Sequence, residues 1–256
     1  MYNGYTTYLE KVDIHSFKTN ANYCGILEHV SYELGKQYIL LIDREYKHIS
    51  YDKLQQYVTI NDRIGNPEKK LFTFKENSIV CSPSSLRYAY HALCILEHYA
   101  KTHCKNIVEV GCGYGGLCLA INYFSKPTDI DTYNIIDLSG ACNLIRQYLN
   151  LHSETIRTHM VYHDSNTYGG NIKDKNLFFI SNYCYTELAE VHNANYSSTL
   201  LPKCDNGFIV WQNGGNHGAY PIEHASKISG KQIVYIEEKP QTDSGVGIYK
   251  NYFAYF

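Results

Sequence analysis

Residues 107–117, IVEVGCGYGGL, restrict what this chain can fold into more than any other stretch. An apolar run ends at Val110, and glycine then occupies positions 111, 113, 115 and 116. A strand that must turn sharply into a helix, with its backbone close to other atoms, needs residues without a Cβ. The stretch therefore reads as a strand over 106–110, a tight turn, and a helix over about 115–124.

The text on either side repeats this alternation. Ser82 followed by Pro83 is a helix start, a capping hydroxyl before a ring whose missing N–H costs nothing at the first helical position. Leu86, Ala89, Tyr90, Leu93 and Leu96 follow at helical spacing. Strands are expected at 133–137, 158–162, 177–181 and 207–211, and helices at 139–151, 186–192 and 221–228. Residues 232–237 and 246–255 read as two last strands, joined by the turn composition KPQTDSG. Alternating strands and helices imply a parallel sheet, and so short a final connection implies an antiparallel pair. The expected fold is α/β: a doubly wound, Rossmann-like, seven-stranded and mostly parallel sheet with an antiparallel last hairpin. Residues 1–80 form an N-terminal extension or cap, and residues 81–256 the main domain. In the extension, 24–38 and 51–58 have helical periodicity, whereas 37–60 is ambiguous between strand and helix.

The spacing of the turn carries chemistry. A dinucleotide fold arranges its glycines as GxGxxG so that a pyrophosphate meets a helix N-terminus. Here the pattern is ExGxGxG, with Glu109 ahead of Gly111, Gly113 and Gly115. A carboxylate there repels a diphosphate and welcomes an ammonium group. A nucleoside cofactor that also carries an amino-acid end and a sulfonium is S-adenosylmethionine. The next strand ends in Asp137, placed to accept from ribose hydroxyls, with Asp131 as its rival ahead of the strand. Asp164, in the YHD that ends the third strand, could accept from an adenine amine; a solvated loop acid is the alternative. Ser181 and Asn182 end the fourth strand, on the edge where ligands of open α/β folds collect. Arg87, a fork donor, suits a cofactor carboxylate or an anionic group of a substrate.

Composition excludes other classes. Lys plus Arg is 23 and Asp plus Glu is 25, so a net charge of −2 leaves no footprint for nucleic acid or an anionic membrane. No apolar run reaches the ~18 residues of a membrane span. The first 20 residues lack a basic start followed by an apolar stretch, so no secretory signal is expected. Nine cysteines, none in a CxxC pair, read as reduced thiols and point to a cytoplasmic protein. No metal constellation is visible.

IVEVGCGYGGL, YNIIDL and SNYCYTEL, in that order, resemble class I methyltransferases that use S-adenosylmethionine, and more narrowly the sugar O-methyltransferase family. SPSSLRY at 82–88 and EEKP at 237–240 belong to the same resemblance, which covers roughly residues 80–256. Cys112 stands where the family commonly has glycine, and Thr186 where it has serine. The resemblance implies that Asp137 and Leu138 line the nucleoside and that Glu187 lies near the transferred methyl. It also implies a sugar acceptor, nucleotide-linked or in a glycan. The short, glycine-rich 165–176 leaves no room for a full helix before the fourth strand, which bears on the adenine side of the site.

Methyl transfer to a hydroxyl needs alignment and a base. Glu187 is one candidate, with an ordinary acid in the first turn of a helix as its alternative. His217, in NGGNHGAY after the fifth strand, is the other. His163 and His192 read as structural or exposed. The Tyr-rich first 80 residues suit either an acceptor pocket, since aromatic faces fit sugar rings, or the contact surface of a homo-oligomer. Other readings are methylation of a non-sugar metabolite and a cofactor-binding module without turnover. Nucleic-acid modification is disfavoured by charge and by the absence of an [N/D]PP[Y/F/W] tetrapeptide.

Overall fold

The computed structural model describes residues 2–212, 230–242 and 250–256. The chain divides into two compact units. The first comprises Met1–Leu96, Gly113–Ser125 and Asn143–Arg157, and the second Glu97–Cys112, Lys126–Cys142 and Thr158–Phe256.

The second unit holds the main sheet. Its strands are β3 (Asn106–Val110), β4 (Thr132–Asp137), β5 (His159–Asp164), β6 (Leu177–Asn182), β7 (Cys204–Trp211), β8 (Val234–Glu237) and β9 (Tyr252–Tyr255), numbered after a hairpin in the first unit. Among the described residues they form a seven-stranded sheet in the order β5-β4-β3-β6-β7-β9-β8. β3 pairs in parallel with β4 and β6, β4 with β5, and β6 with β7, whereas β9 runs antiparallel to both β7 and β8. This is the Rossmann-like sheet expected, with the last strand inserted between β7 and β8. The chain proceeds outward from β3 to β4 and β5, then returns to β6 on the other side of β3. That reversal makes the C-terminal ends of β3 and β6 the topological switch point, where open α/β sheets hold ligands.

Near-continuous apolar text makes β3, β4 and β6 buried along almost their whole length, as strands covered on both faces must be. Val108, Val110, Ile136, Leu177, Phe179 and Trp211 share one core with Tyr185, Tyr196 and Leu200. Tyr196 brings in helix α8 (Glu190–Thr199), and Leu200 is the residue that follows it.

The first unit contains α1 (Tyr2–Leu9), α2 (Ala21–Cys24), α3 (Tyr32–Glu45), α4 (Tyr51–Asp62) and the hairpin β1 (Lys70–Phe74) and β2 (Asn77–Cys81). Most of α5 (Pro83–Tyr99), all of α6 (Gly116–Phe124) and most of α7 (Ser139–Asn150) belong to it too. The ambiguous 37–60 is helical on both sides of a short break. Ser31 and Ser50 cap α3 and α4, each hydroxyl accepting a backbone N–H at 3.1 Å. The β1–β2 hairpin is a feature that the periodicity of this region does not announce. Ser82 caps α5 as expected, its Oγ accepting from Ser84 N–H at 3.2 Å.

One expected helix is corrected. Residues 186–192 do not form a single helix. A 3-10 turn covers Tyr185–Glu187, Leu188 and Ala189 are extended with ψ of 145° and 151°, and α8 starts only at Glu190. The helix expected over 221–228 lies outside the described residues, as does most of the turn and strand start over 243–249.

Candidate functional site

The switch point of the second unit is built around Gly111. Its φ of +79° lies in the left-handed region, and a Cβ there would lie 2.3 Å from Cys184 Cβ and 2.4 Å from Cys184 Sγ. Glycine is thus required by the backbone and by Cys184, which follows β6 and closes against the turn. Tyr183, just before it, itself adopts a φ of +58°.

Asp137, at the end of β4, braces the turn from its other side. Its Oδ2 accepts the Cys112 N–H at 2.8 Å, and its Oδ1 accepts the Leu138 N–H at 2.8 Å. Both carboxylate oxygens thus hold backbone donors at the end of β4. Leu138 beside it is 41% exposed, an apolar surface at a strand end. Asp164 is the register partner of Asp137 on β5, and its Oδ1 accepts the Asn166 N–H at 2.9 Å.

Glu109 is 2% exposed, and its carboxylate accepts from Tyr133 Oη at 2.6 Å. Burial pushes its pKa up to about 7, with Asp137 adding to the rise and Tyr133 opposing it. Its carboxyl group therefore sits inside the protein, behind the turn, where burial favours the protonated form. Ser181 is fully buried: its Oγ donates to Val110 O at 2.9 Å and accepts the Tyr185 N–H at 3.0 Å. It staples the end of β6 to the end of β3. Asn182, the last residue of β6, is half-buried.

Glu187 ends the 3-10 turn after β6, half-buried, and its Oε1 accepts from Gln212 Nε2 at 2.8 Å. Gln212 follows β7 and bonds Thr186 as well. Burial pushes the Cys184 thiol far above its ordinary value, and Asp137, Glu187 and Glu109 reinforce the shift. Three carboxyl groups thus lie near one cysteine at this strand edge. His163 is buried with Nε2 2.9 Å from Asn134 Oδ1, and His192 Nδ1 lies 2.9 Å from Tyr168 Oη; both are held by structural partners. His217 lies outside the described residues.

In the first unit, Gly113 and Gly115 also have positive φ, +63° and +90°. Leu27 Cδ2 lies 3.2 Å from the Cβ position of Gly113, and Ile145 Cγ2 lies 3.0 Å from that of Gly115. Arg87 is 8% exposed rather than a surface cation, and donates to Leu27 O at 3.2 Å.

Sequence reasoning missed Cys184, Tyr133 and Gln212. It also missed the join between two segments of the family resemblance: Tyr183 Oη donates to the buried Glu238, which also accepts from Thr242 and Asn251. Among the described residues no group of three or more His, Cys, Asp or Glu could hold a metal, and no helix is long and apolar enough to cross a membrane. None of the nine cysteines is in a disulfide.

No family model and no curated protein matches this chain. Solved structures do. The methyltransferase domain of bacterial CtHen1 is 12% identical, with a TM-score of 0.50 over 66% of this chain and 96% of that one. The small RNA methyltransferase HEN1 is 14% identical, with a TM-score of 0.50 over 67% of this chain and 25% of that one. At such identities the likeness is one of fold, and it covers about two thirds of the residues.

Proposed function

We propose that this chain is an S-adenosylmethionine-dependent O-methyltransferase whose acceptor is a sugar hydroxyl. The observation that carries the reading is the Gly111 turn at the switch point, braced by Asp137 through the Cys112 N–H. A turn backed by Glu109 and flanked by Asp137 and Glu187 favours a cationic ligand over a diphosphate. The residues fit the cofactor: Asp137 is an acid at the end of β4, where open α/β folds hold a ribose diol, Leu138 offers an apolar face to the base, and Asp164 and Asn182 lie at the same strand edge. Bound there, S-adenosylmethionine supplies a methyl group as an electrophile on sulfonium sulfur. The methyl acceptors of the two fold relatives are not carried over. HEN1 is named for small RNA, whereas the net charge of −2 here offers no phosphate footprint.

In this reading Glu187 would take the proton of the acceptor hydroxyl, whose oxygen would replace the cofactor sulfur on the methyl carbon, the sulfur leaving as a neutral thioether. Gln212 orients that carboxylate. His217 is the second candidate for the base. The sugar acceptor rests on the family resemblance of SPSSLRY, SNYCYTEL and EEKP. The Tyr-rich first 80 residues are the part assigned to acceptor recognition.

The test is methyl transfer itself. Purified protein is incubated with cofactor labelled in the methyl group and a set of nucleotide sugars and free glycans, followed by mass analysis. A sugar heavier by one methyl supports the reading. Label transferred to non-sugar hydroxyl compounds alone keeps the enzyme and removes the sugar.

A further inference from the structure

Glu238 is a buried acid that the proposed chemistry does not use. It follows β8, is 2% exposed, and lies in the second unit together with the residues that bond it. Tyr183 Oη donates to its Oε1. Its Oε2 accepts from Thr242 N–H at 3.0 Å, Thr242 Oγ1 at 2.8 Å and Asn251 Nδ2 at 3.2 Å. Each of these partners donates, which is the set an ionised carboxylate takes. Burial raises the carboxyl above its ordinary value, and the hydrogen bonds pull it back. A buried charge is costly unless it is bonded in this way, and an apolar residue would avoid the cost.

The place of this acid gives it a use. β8 runs in the same sense as β6 and β7, because β9 is antiparallel to both β7 and β8. The ends of β6 and β8 therefore share the sheet edge that carries the Gly111 turn. β7 and β9 lie between them, and the Tyr183–Glu238 bond spans both. Asn251 is held in turn by Gln241, whose Oε1 accepts the Asn251 N–H and whose Nε2 donates to Asn251 O, both at 2.9 Å. Tyr183 is held at a φ of +58°, which strains a bulky residue. The next residue is Cys184, whose Cβ and Sγ fill the space beside Gly111.

We infer that Glu238 is a positioning residue of the site: by holding Tyr183 it seats Cys184 on the Gly111 turn and fixes that turn in the shape that takes the cofactor. The inference rests on the cofactor reading of the turn. It joins the EEKP and SNYCYTEL segments in one mechanical task.

The experiment reads the rate at which iodoacetamide alkylates Cys184, by peptide mass analysis, with and without S-adenosylhomocysteine. Wild type is compared with Tyr183→Phe, Glu238→Gln and the double variant. Cys104 and Cys204, near the starts of β3 and β7 at the opposite sheet edge, are the internal controls. A seated Cys184 reacts only when the end of β6 lifts, and losing a charge-assisted hydrogen bond raises that open fraction by about tenfold or more. Both single variants should alkylate faster at Cys184 by that factor, with the controls unchanged. The double variant should be no faster than Glu238→Gln alone, because both changes remove the same bond. S-adenosylhomocysteine at about 100 times its dissociation constant should slow Cys184 alkylation by about a hundredfold, since it binds the seated form alone. Tyr183→Phe removes only a hydroxyl and carries the test if Glu238→Gln does not fold.

Unchanged Cys184 rates in the variants, or equal rises at Cys184, Cys104 and Cys204, would overturn the inference. Bound ligand that leaves Cys184 unprotected would also overturn it and keep the cofactor reading. Wild type that binds no S-adenosylhomocysteine removes the cofactor reading, and the role of Glu238 with it.

Discussion

Gly111 and Glu109 show how two nearby residues constrain one turn by different physics. A side chain at 111 meets Cys184 at 2.3–2.4 Å and needs a backbone at φ +79°. Gly111→Ala is expected to destabilise the protein by roughly 2–5 kcal/mol, summing left-handed strain and overpacking. Denaturant unfolding checks this, and a second change, Cys184→Gly, should return the overpacking part only. Glu109 contributes through pH. Its folded pKa of about 7 lies above the ~4.3 of an unfolded chain, so the folded state holds the proton more tightly. The stability this gives is complete below about pH 4 and is lost as pH rises through about 7, amounting to about 4 kcal/mol. Glu109→Gln lacks the titration. Its stability relative to wild type should rise between pH 5 and pH 8, and parallel pH profiles for the two proteins would contradict the buried acid.

At the scale of elements, strands were readable where apolar runs stop at glycine or a polar residue: β3 at Gly111, β4 at Asp137, β6 near Ser181. The β1–β2 hairpin was not, although Phe72, Phe74, Ile79 and Cys81 alternate inward. Its turn is Lys75-Glu76 with φ of +47° and +65°, a conformation usually signalled by Asn-Gly. The helix expected over 186–192 failed for a related reason. The apolar spacing there is helical, but Thr186 is tied to Gln212, and Leu188 and Ala189 run extended before α8. That break holds Glu187 on a short turn facing Gln212. Under the proposed function, Glu187→Gln lowers turnover by about 10² or more while cofactor affinity stays unchanged. Single-turnover rates on a verified acceptor check this. A rate within about threefold of wild type would move the role to His217 or to alignment alone.

For the whole molecule, the parallel and antiparallel senses of the sheet were legible because connections dictate them: alternating helices imply parallel neighbours, and a short last connection implies an antiparallel pair, whereas the place of β9 between β7 and β8 was not legible. Of the candidate site, Asp137 and the glycines were legible, being residues whose type and position at a strand end serve the turn directly. Cys184, Tyr133 and Gln212 were not, because each acts only through a neighbour distant in sequence. The central claim is that the braced turn after β3 holds S-adenosylmethionine, and Asp137 is where it is most exposed to disproof. Calorimetric titration of wild type and Asp137→Asn with S-adenosylhomocysteine is the direct measurement. The wild type should bind, and the variant, which keeps the shape but loses the charge offered to the ribose, should bind about tenfold or more weakly. Absence of binding to the wild type, or equal affinity in the two proteins, would contradict the account.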